Sequence, residues 1–284
     1  MTAARTPSTP STSTSTSGAA GSSGASAPSA PSARAVRRRG PAAAVLAAEA
    51  RLFLREPAGV FWILVFPTLL LVILGSIPAF REVKESLGGI RTVDAYGQVS
   101  VLIALLTAAV AAMPPVITGY RERGILRRMS TTPVRPAALL GAQIVLHGAA
   151  ALVSAALSLA VGRIVFDVAL PRQPLGYLLA LVLAALGALA LGAVISALSR
   201  TSKIANGVGT AVYFPMMFCV GTWVPVQAMP DALARVVGWT PFGAAAEAFG
   251  EASAGSWPGF GHLGVLAVWV VALLAAAARW FRWE

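Results

Sequence analysis

The sequence predicts an all-α integral membrane protein, and three observations carry that prediction. Hydrophobic residues make up 57% of the 284-residue chain and charged residues only 12%, too little charge to keep the surface of a domain this size in water. Apolar runs at about 57–80, 95–119, 137–162, 175–199, 204–226 and 262–281 are each of spanning length, because about 20 helical residues at 1.5 Å each cross the roughly 30 Å hydrocarbon core. The basic residues lie between these runs and gather on alternate sides. The net charge of +11 therefore speaks for a positive-inside topology and against nucleic acid, which needs a basic face with groove-reading or aromatic partners.

Residues 1–40 are almost wholly Ser, Thr, Pro, Ala and Gly and bury too little apolar surface to offset the entropy of ordering them. A disordered cytoplasmic tail is expected there. No apolar core of the kind a signal peptide needs precedes Arg34, so the tail is expected to be retained, with Arg34, Arg37, Arg38 and Arg39 facing anionic head groups of the membrane lipid. Residues 41–284 form the six-span domain. It begins with AAAVLAAEARLFLRE, Ala42 to Glu56, which is rich in helix formers but too charged to span. Val45, Glu49 and Leu52 fall at helical spacing with Arg51 and Arg55 to one side, which predicts an amphipathic interfacial helix that turns at Pro57 into the first span.

Between the second and third runs lies the most charged segment of the apolar region, YRERGILRRMSTTPVRP, Tyr120 to Pro136. It holds Arg121, Arg123, Arg127, Arg128 and Arg135 with a single acid, Glu122, and Pro133 and Pro136 close off any helix begun at Tyr120. As a helix from Tyr120 to Met129 it would set Ile125 and Met129 on one face with Leu126 beside them, and would let Glu122 pair with Arg123 or one turn on. Gly124 would admit a partner's backbone, at about 1 kcal/mol of helix propensity. Such a ridge suits docking; the blander reading is an ordinary positive-inside loop. With the N-terminus inside, sixteen basic residues face the cytoplasm, and only Arg81, Lys84, Arg91, Arg163, Arg172 and Arg235 lie outside. The central stretch is thereby placed in the cytoplasm, as are both termini.

Between the fifth and sixth runs, Ala232 to Trp239 and Phe242 to Phe249 are separated by Pro241 and too short to cross. External re-entrant or interfacial half-helices are expected, buried so that their backbone groups stay paired. Glu247 sits in the second of these, where an ionised carboxylate left unpaired costs several kcal/mol. It either meets outer water or pairs, with Arg235 as candidate partner and substrate exit or gating as candidate role. Gly187, Ala188 and Gly192 in the fourth run predict close helix packing. Arg279, Trp280, Phe281, Arg282 and Trp283 end the last run as an interfacial belt.

The side chains offer little chemistry. His147 and His262 are the only histidines, and no Cys, His and carboxylate cluster has metal-ligand spacing. The lysines are Lys84, after Val83, and Lys203, after Ser202, so the Gly-Lys pair of a phosphate-cradling loop is missing and ATP hydrolysis by that route is excluded. The chain is expected to be no enzyme, to hold no cofactor or metal, and to have no catalytic residue. No Asp or Glu lies deep in any run to exchange a proton with His147. A neutral His147 packed near Ala151, with Gln143 as hydrogen-bond partner, is the simpler reading beside a proton relay. Cys219, the lone cysteine, is read as a packed free thiol.

Two blocks carry a family resemblance. The run ERGILRRMSTTPVRPAALLGAQI, from Glu122, resembles the signature between the second and third spans of type 2 ATP-binding-cassette (ABC) exporter permeases, the group that includes daunorubicin-resistance-type drug exporters. The segment FPMMFCVGTWVPVQAMPDALARVVGWTPFGAAAEAF, from Phe214, is similar to the family's second block, which joins the fifth span to external re-entrant helices. The likeness runs from about Ala42 to the C-terminus and leaves the Ser/Thr/Pro-rich tail outside. It implies six spans, an N-terminal connecting helix, and a cytoplasmic coupling helix on a separate ATPase subunit that binds ATP and Mg. It also implies a bacterial plasma-membrane complex of two permeases, a homodimer in the simplest case, with two ATPases. By position, Glu122, Arg123, Gly124, Leu126, Arg127, Arg128 and Met129 fall on the coupling helix, with Thr132, Pro133 and Val134 at its exit. Arg127 departs from the family, which often has an acid there.

Efflux of a hydrophobic drug or antibiotic is the expected function, with a lipid-linked glycan as the alternative cargo; no substrate-contacting residue is assigned. A proton-coupled carrier would need intramembrane carboxylates or an inverted repeat, and neither is visible. A membrane anchor for a signalling complex is the third reading.

Overall fold

The computed structural model describes residues 41–85, 89–129 and 136–280. The expectations for the 1–40 tail, for Thr132, Pro133 and Val134, and for Phe281 to Trp283 fall outside them. Helix α1 (Pro41–Leu54) leads into a continuous rod made of α2 (Pro57–Val60), a π-helical stretch at Phe61–Val65, and α3 (Phe66–Gly75). A two-residue antiparallel pair, β1 (Val83–Lys84) and β2 (Ile90–Arg91), precedes a second rod of α4 (Thr92–Leu106), a π-helical stretch at Thr107–Ala112, and α5 (Met113–Glu122). After the short α6 (Ile125–Met129) come α7 (Pro136–Phe166), α8 (Pro174–Leu198), α9 (Ser202–Val220), α10 (Asp231–Gly238), α11 (Pro241–Ala254) and α12 (Phe260–Trp280).

Both π-helical stretches have a cause in the sequence. Pro67, Pro114 and Pro115 lack the N–H that would bond four residues back, which releases the carbonyls of Ile63, Val110 and Ala111. The ladder widens there, and the two widened stretches pack against each other.

Five helical segments are long and apolar enough to cross a membrane: Pro57–Gly75, Thr92–Glu122, Ala138–Phe166, Pro174–Leu198 and Phe260–Trp280. The remaining expected span, the fifth run in α9, has 19 residues, but Lys203, Asn206 and the internal Pro215 keep it from joining the five on composition. The second rod is the hub, with 78% of its most apolar window buried against 22% for α12. It contacts α3, α7, α8, α9 and α11, whereas α12 packs chiefly on α8 and α11. Outward-facing residues are themselves apolar, including Ile164, Leu175, Val268 and Val271; lipid solvates such a surface, water does not. Polar pairs knit the interior, with Thr68 and Ser158 hydroxyls 3.0 Å apart and Thr107 Oγ1 2.9 Å from Tyr213 Oη.

Small residues set the closest approach. A Cβ on Gly192 would lie 1.9 Å from the Ala109 carbonyl oxygen in the π-helical stretch, so α8 meets the hub backbone to backbone. At Gly187 the nearest atom would be Val270 Cγ2 at 3.6 Å, an ordinary contact. Of the two glycines in the expected packing pattern, Gly192 is therefore the one that requires the missing side chain.

The two expected half-helices differ from each other. Helix α11 is core, with Phe242, Ala244, Ala245, Ala248, Phe249 and Ala252 buried and Phe249 stacked on Tyr177 at 4.4 Å. Thr240 caps its start by accepting from the Gly243 N–H at 3.1 Å. Helix α10 is peripheral and exposes Val236 and Trp239.

Candidate functional site

At the α5–α6 joint the chain turns on Gly124, whose φ of +66° ends one helix and starts the next. The expected continuous helix from Tyr120 to Met129 is thus broken in two. Gly124 serves the turn, since a left-handed conformation costs an L-residue about 1–2 kcal/mol, and open space surrounds the place a Cβ would take. Leu126 is buried, so it is withdrawn from any docking ridge, while Ile125 is half-buried and Glu122, Arg123 and Arg128 are exposed. The side chains of Arg127 and Met129 lie outside the described residues.

Two charges of this joint, Arg121 and Glu122, reach neighbouring helix ends. Arg121 Nη2 donates to the Ser196 carbonyl at 3.0 Å and to the Ser199 carbonyl, at the C-terminal, electronegative end of α8. Glu122 Oε2 accepts from the Ser202 N–H at 3.0 Å, at the N-terminal, electropositive end of α9. Glu122 therefore meets the start of α9, where an intrahelical pair with Arg123 was expected. Arg123 folds back instead, donating Nε to the Gly119 carbonyl at 3.1 Å with its guanidinium 5.5 Å from the Tyr120 ring centroid. Arg121 and Glu122 thus each sit at a helix terminus of opposite sign. The apolar runs place a turn at residues 200–203; its contacts with Arg121 and Glu122, and the Thr201 cap on the Ile204 N–H, come only with the fold.

Behind the joint, Tyr120 Oη donates to Glu49 Oε2 at 2.7 Å, and Gln143 Nε2 donates to the same oxygen at 2.7 Å. Glu49 is 8% exposed, whereas Leu52 is 55% exposed. The face of α1 turned to the bundle thus carries the acid, the reverse of a simple amphipathic helix with Leu52 inward. His147 Nδ1 meets the Gln143 backbone carbonyl at 3.0 Å, not the Gln143 side chain. These residues border a cavity of 670 Å³ walled by α1, the first rod, the π-helical part of the second rod, α5, α7 and α9.

A second cavity, of 680 Å³, opens at the other end among β2, α4 and α11. Glu247 borders it and is not joined to Arg235 by any ion pair among the described residues. Its electrostatic neighbours are His262 and Glu251. His262 Nδ1 lies 3.2 Å from Glu251 Oε1, an ion-pair distance without hydrogen-bond alignment, and Glu251 Oε2 accepts from the Gly259 N–H at 2.6 Å. Burial pushes the Glu247 carboxyl above its ordinary 4.5, with His262 pulling it down and Glu251 pushing it up. The folded state therefore holds this proton more tightly, and the stability it contributes at acid pH is lost as pH rises through the raised value. Glu247→Gln is expected to unfold at a higher temperature than the parent at neutral pH, with the gap closing below about pH 4.5; differential scanning fluorimetry across pH checks this.

Among the described residues no cluster of three metal-ligating side chains occurs. Stacked apolar helices with lipid-facing exteriors and polar end joints define a multi-pass membrane protein. The family model for ABC-2 type transporter matches residues 42–252, and the chain belongs to that family as a permease subunit of an ABC transporter. The match stops within α11, short of the C-terminus to which the resemblance was expected to run. A comparison with curated proteins gives no match.

Proposed function

We propose that the chain is one of two permeases in a bacterial plasma-membrane exporter that expels a hydrophobic, drug-like substrate, driven by a separate subunit that binds and hydrolyses ATP. The observation that carries this reading is the braced joint. Arg121 and Glu122 tie the end of α5 to the end of α8 and the start of α9, so a displacement of the adjoining α6 has stiff contacts through which to reach three helices at once. The ATPase docks on the exposed side of this joint from the cytoplasm, α9 forms the sixth crossing, and α10 and α11 are the external re-entrant pair. Tyr120 passes the same movement to α1 through Glu49.

Isolation of the tagged chain from its native membrane tests this. A stoichiometric partner with ATPase activity is the expected result. Isolation of the chain with no ATPase, or with only a signalling protein, overturns it.

A further inference from the structure

Among the described residues Glu49 is an acid buried without a base. Both of its hydrogen bonds come from neutral donors, Tyr120 and Gln143, and both end on Oε2; no ion pair reaches it among the described residues. Among the described residues no Arg or Lys borders the 670 Å³ cavity beside it, while a second carboxylate, Glu56, does. His147, also on that wall, has its Nδ1 on the Gln143 backbone carbonyl and stands edge-on to Phe53 at 5.7 Å. A carboxylate removed from water and left without a counter-charge costs several kcal/mol. A ligand that brings the missing charge recovers that cost.

The remainder of the wall describes the ligand's body. Trp62, Phe66, Tyr213 and Phe214 present aromatic surface to the cavity, which favours both hydrophobic contact and a cation held over a ring. Trp62 and Phe214 are 52% and 55% exposed on the surface of the chain, so the cavity opens sideways between the first rod and α9. Its volume falls within the roughly 300–1,000 Å³ of drug-sized sites. The two carboxylates repel an anionic lipid head group, and most of the lining is apolar, which suits an amphipathic body better than a glycan.

We infer that this cavity binds an amphipathic cation, an aryl- or alkyl-substituted onium or protonated amine, with Glu49 as its counter-charge. This deepens the exporter reading and rests on it for the passage of the cation across the membrane, though binding itself does not need the ATPase. A cation at Oε1 would draw charge from the oxygen that Tyr120 and Gln143 hold, so occupancy of the cavity bears directly on the contact between α1 and the α5–α6 joint.

The test uses two ions of nearly the same shape and opposite charge, tetraphenylphosphonium and tetraphenylborate. Equilibrium binding of each to the full chain in nanodiscs is measured, with the signal from protein-free nanodiscs subtracted. The phosphonium is expected to bind at least about tenfold more tightly than the borate, and Glu49→Gln to remove about tenfold of that preference. Equal binding of the two ions to the unmodified chain overturns the inference whether or not the variant folds, as does a charge preference that survives in a folded Glu49→Gln. A charge-selective cavity on a chain that recruits no ATPase would sink the exporter reading alone. An ATPase-bound chain indifferent to charge would sink this inference alone.

Discussion

Gly192→Ala leaves little folded protein. A methyl group there would sit 1.9 Å from the Ala109 carbonyl oxygen and 2.8 Å from Met113 Cε. The methionine can swing aside; the carbonyl cannot, because it belongs to the π-helical stretch at the centre of the bundle. Helix α8 must back away from the hub, and lipid supplies no hydrophobic force to hold the loosened pair together. The expected loss is about 3 kcal/mol or more, the upper end of overpacking. Gly187→Ala, five residues earlier in the same helix, meets only Val270 at 3.6 Å and is expected to behave as the parent. Size-exclusion profiles of fluorescently tagged variants separate these outcomes, and a monodisperse Gly192→Ala would show that the contact is not tight.

Glu122→Arg uncouples transport while leaving insertion intact. The substitution exchanges an acceptor at the positive end of α9 for a cation, beside Arg121 and near Arg200 and Lys203. A single exposed contact of this kind is worth about 1 kcal/mol, and reversal of the charge roughly doubles the effect on the joint. Coupling free energies of 1–3 kcal/mol correspond to about 5- to 150-fold in function, so a fall of about tenfold or more in transport-coupled hydrolysis is expected. Glu122→Gln keeps an oxygen for the Ser202 N–H and is expected to retain most of the activity.

Long-range patterns were legible in the sequence, and short-range geometry was not. Uninterrupted apolar runs named the membrane class and five of the crossings, because the hydrocarbon core reads only length and charge. The fifth run, α9, forms a helix but stands apart from these five on composition, since Lys203 and Asn206 dilute it at the end that Glu122 meets. At the joint, helical spacing predicted one continuous helix with Glu122 paired to Arg123 or one turn on. Gly124 broke the helix, and Arg121 and Glu122 each found a helix terminus brought near by the fold.

Glu49 was the larger omission. It sits in a helix too charged to span, outside the apolar runs in which an intramembrane carboxylate is legible. Only folding brings α1 against α7 and makes Glu49 a buried acid. For Glu247 the sequence predicts outer water or a pair with Arg235; its electrostatic neighbours are Glu251, one turn along α11, and His262, near the start of α12, which sequence spacing alone did not join to it.

The most direct measurement reconstitutes the chain and its ATPase in vesicles and follows ATP hydrolysis and uptake of a fluorescent amphipathic cation together, in the parent and in Glu122→Arg. Uptake that needs ATP and the ATPase in the parent, and is lost in the variant, is what the braced joint predicts. Uphill uptake by the chain alone, or unchanged coupling in Glu122→Arg, would contradict it.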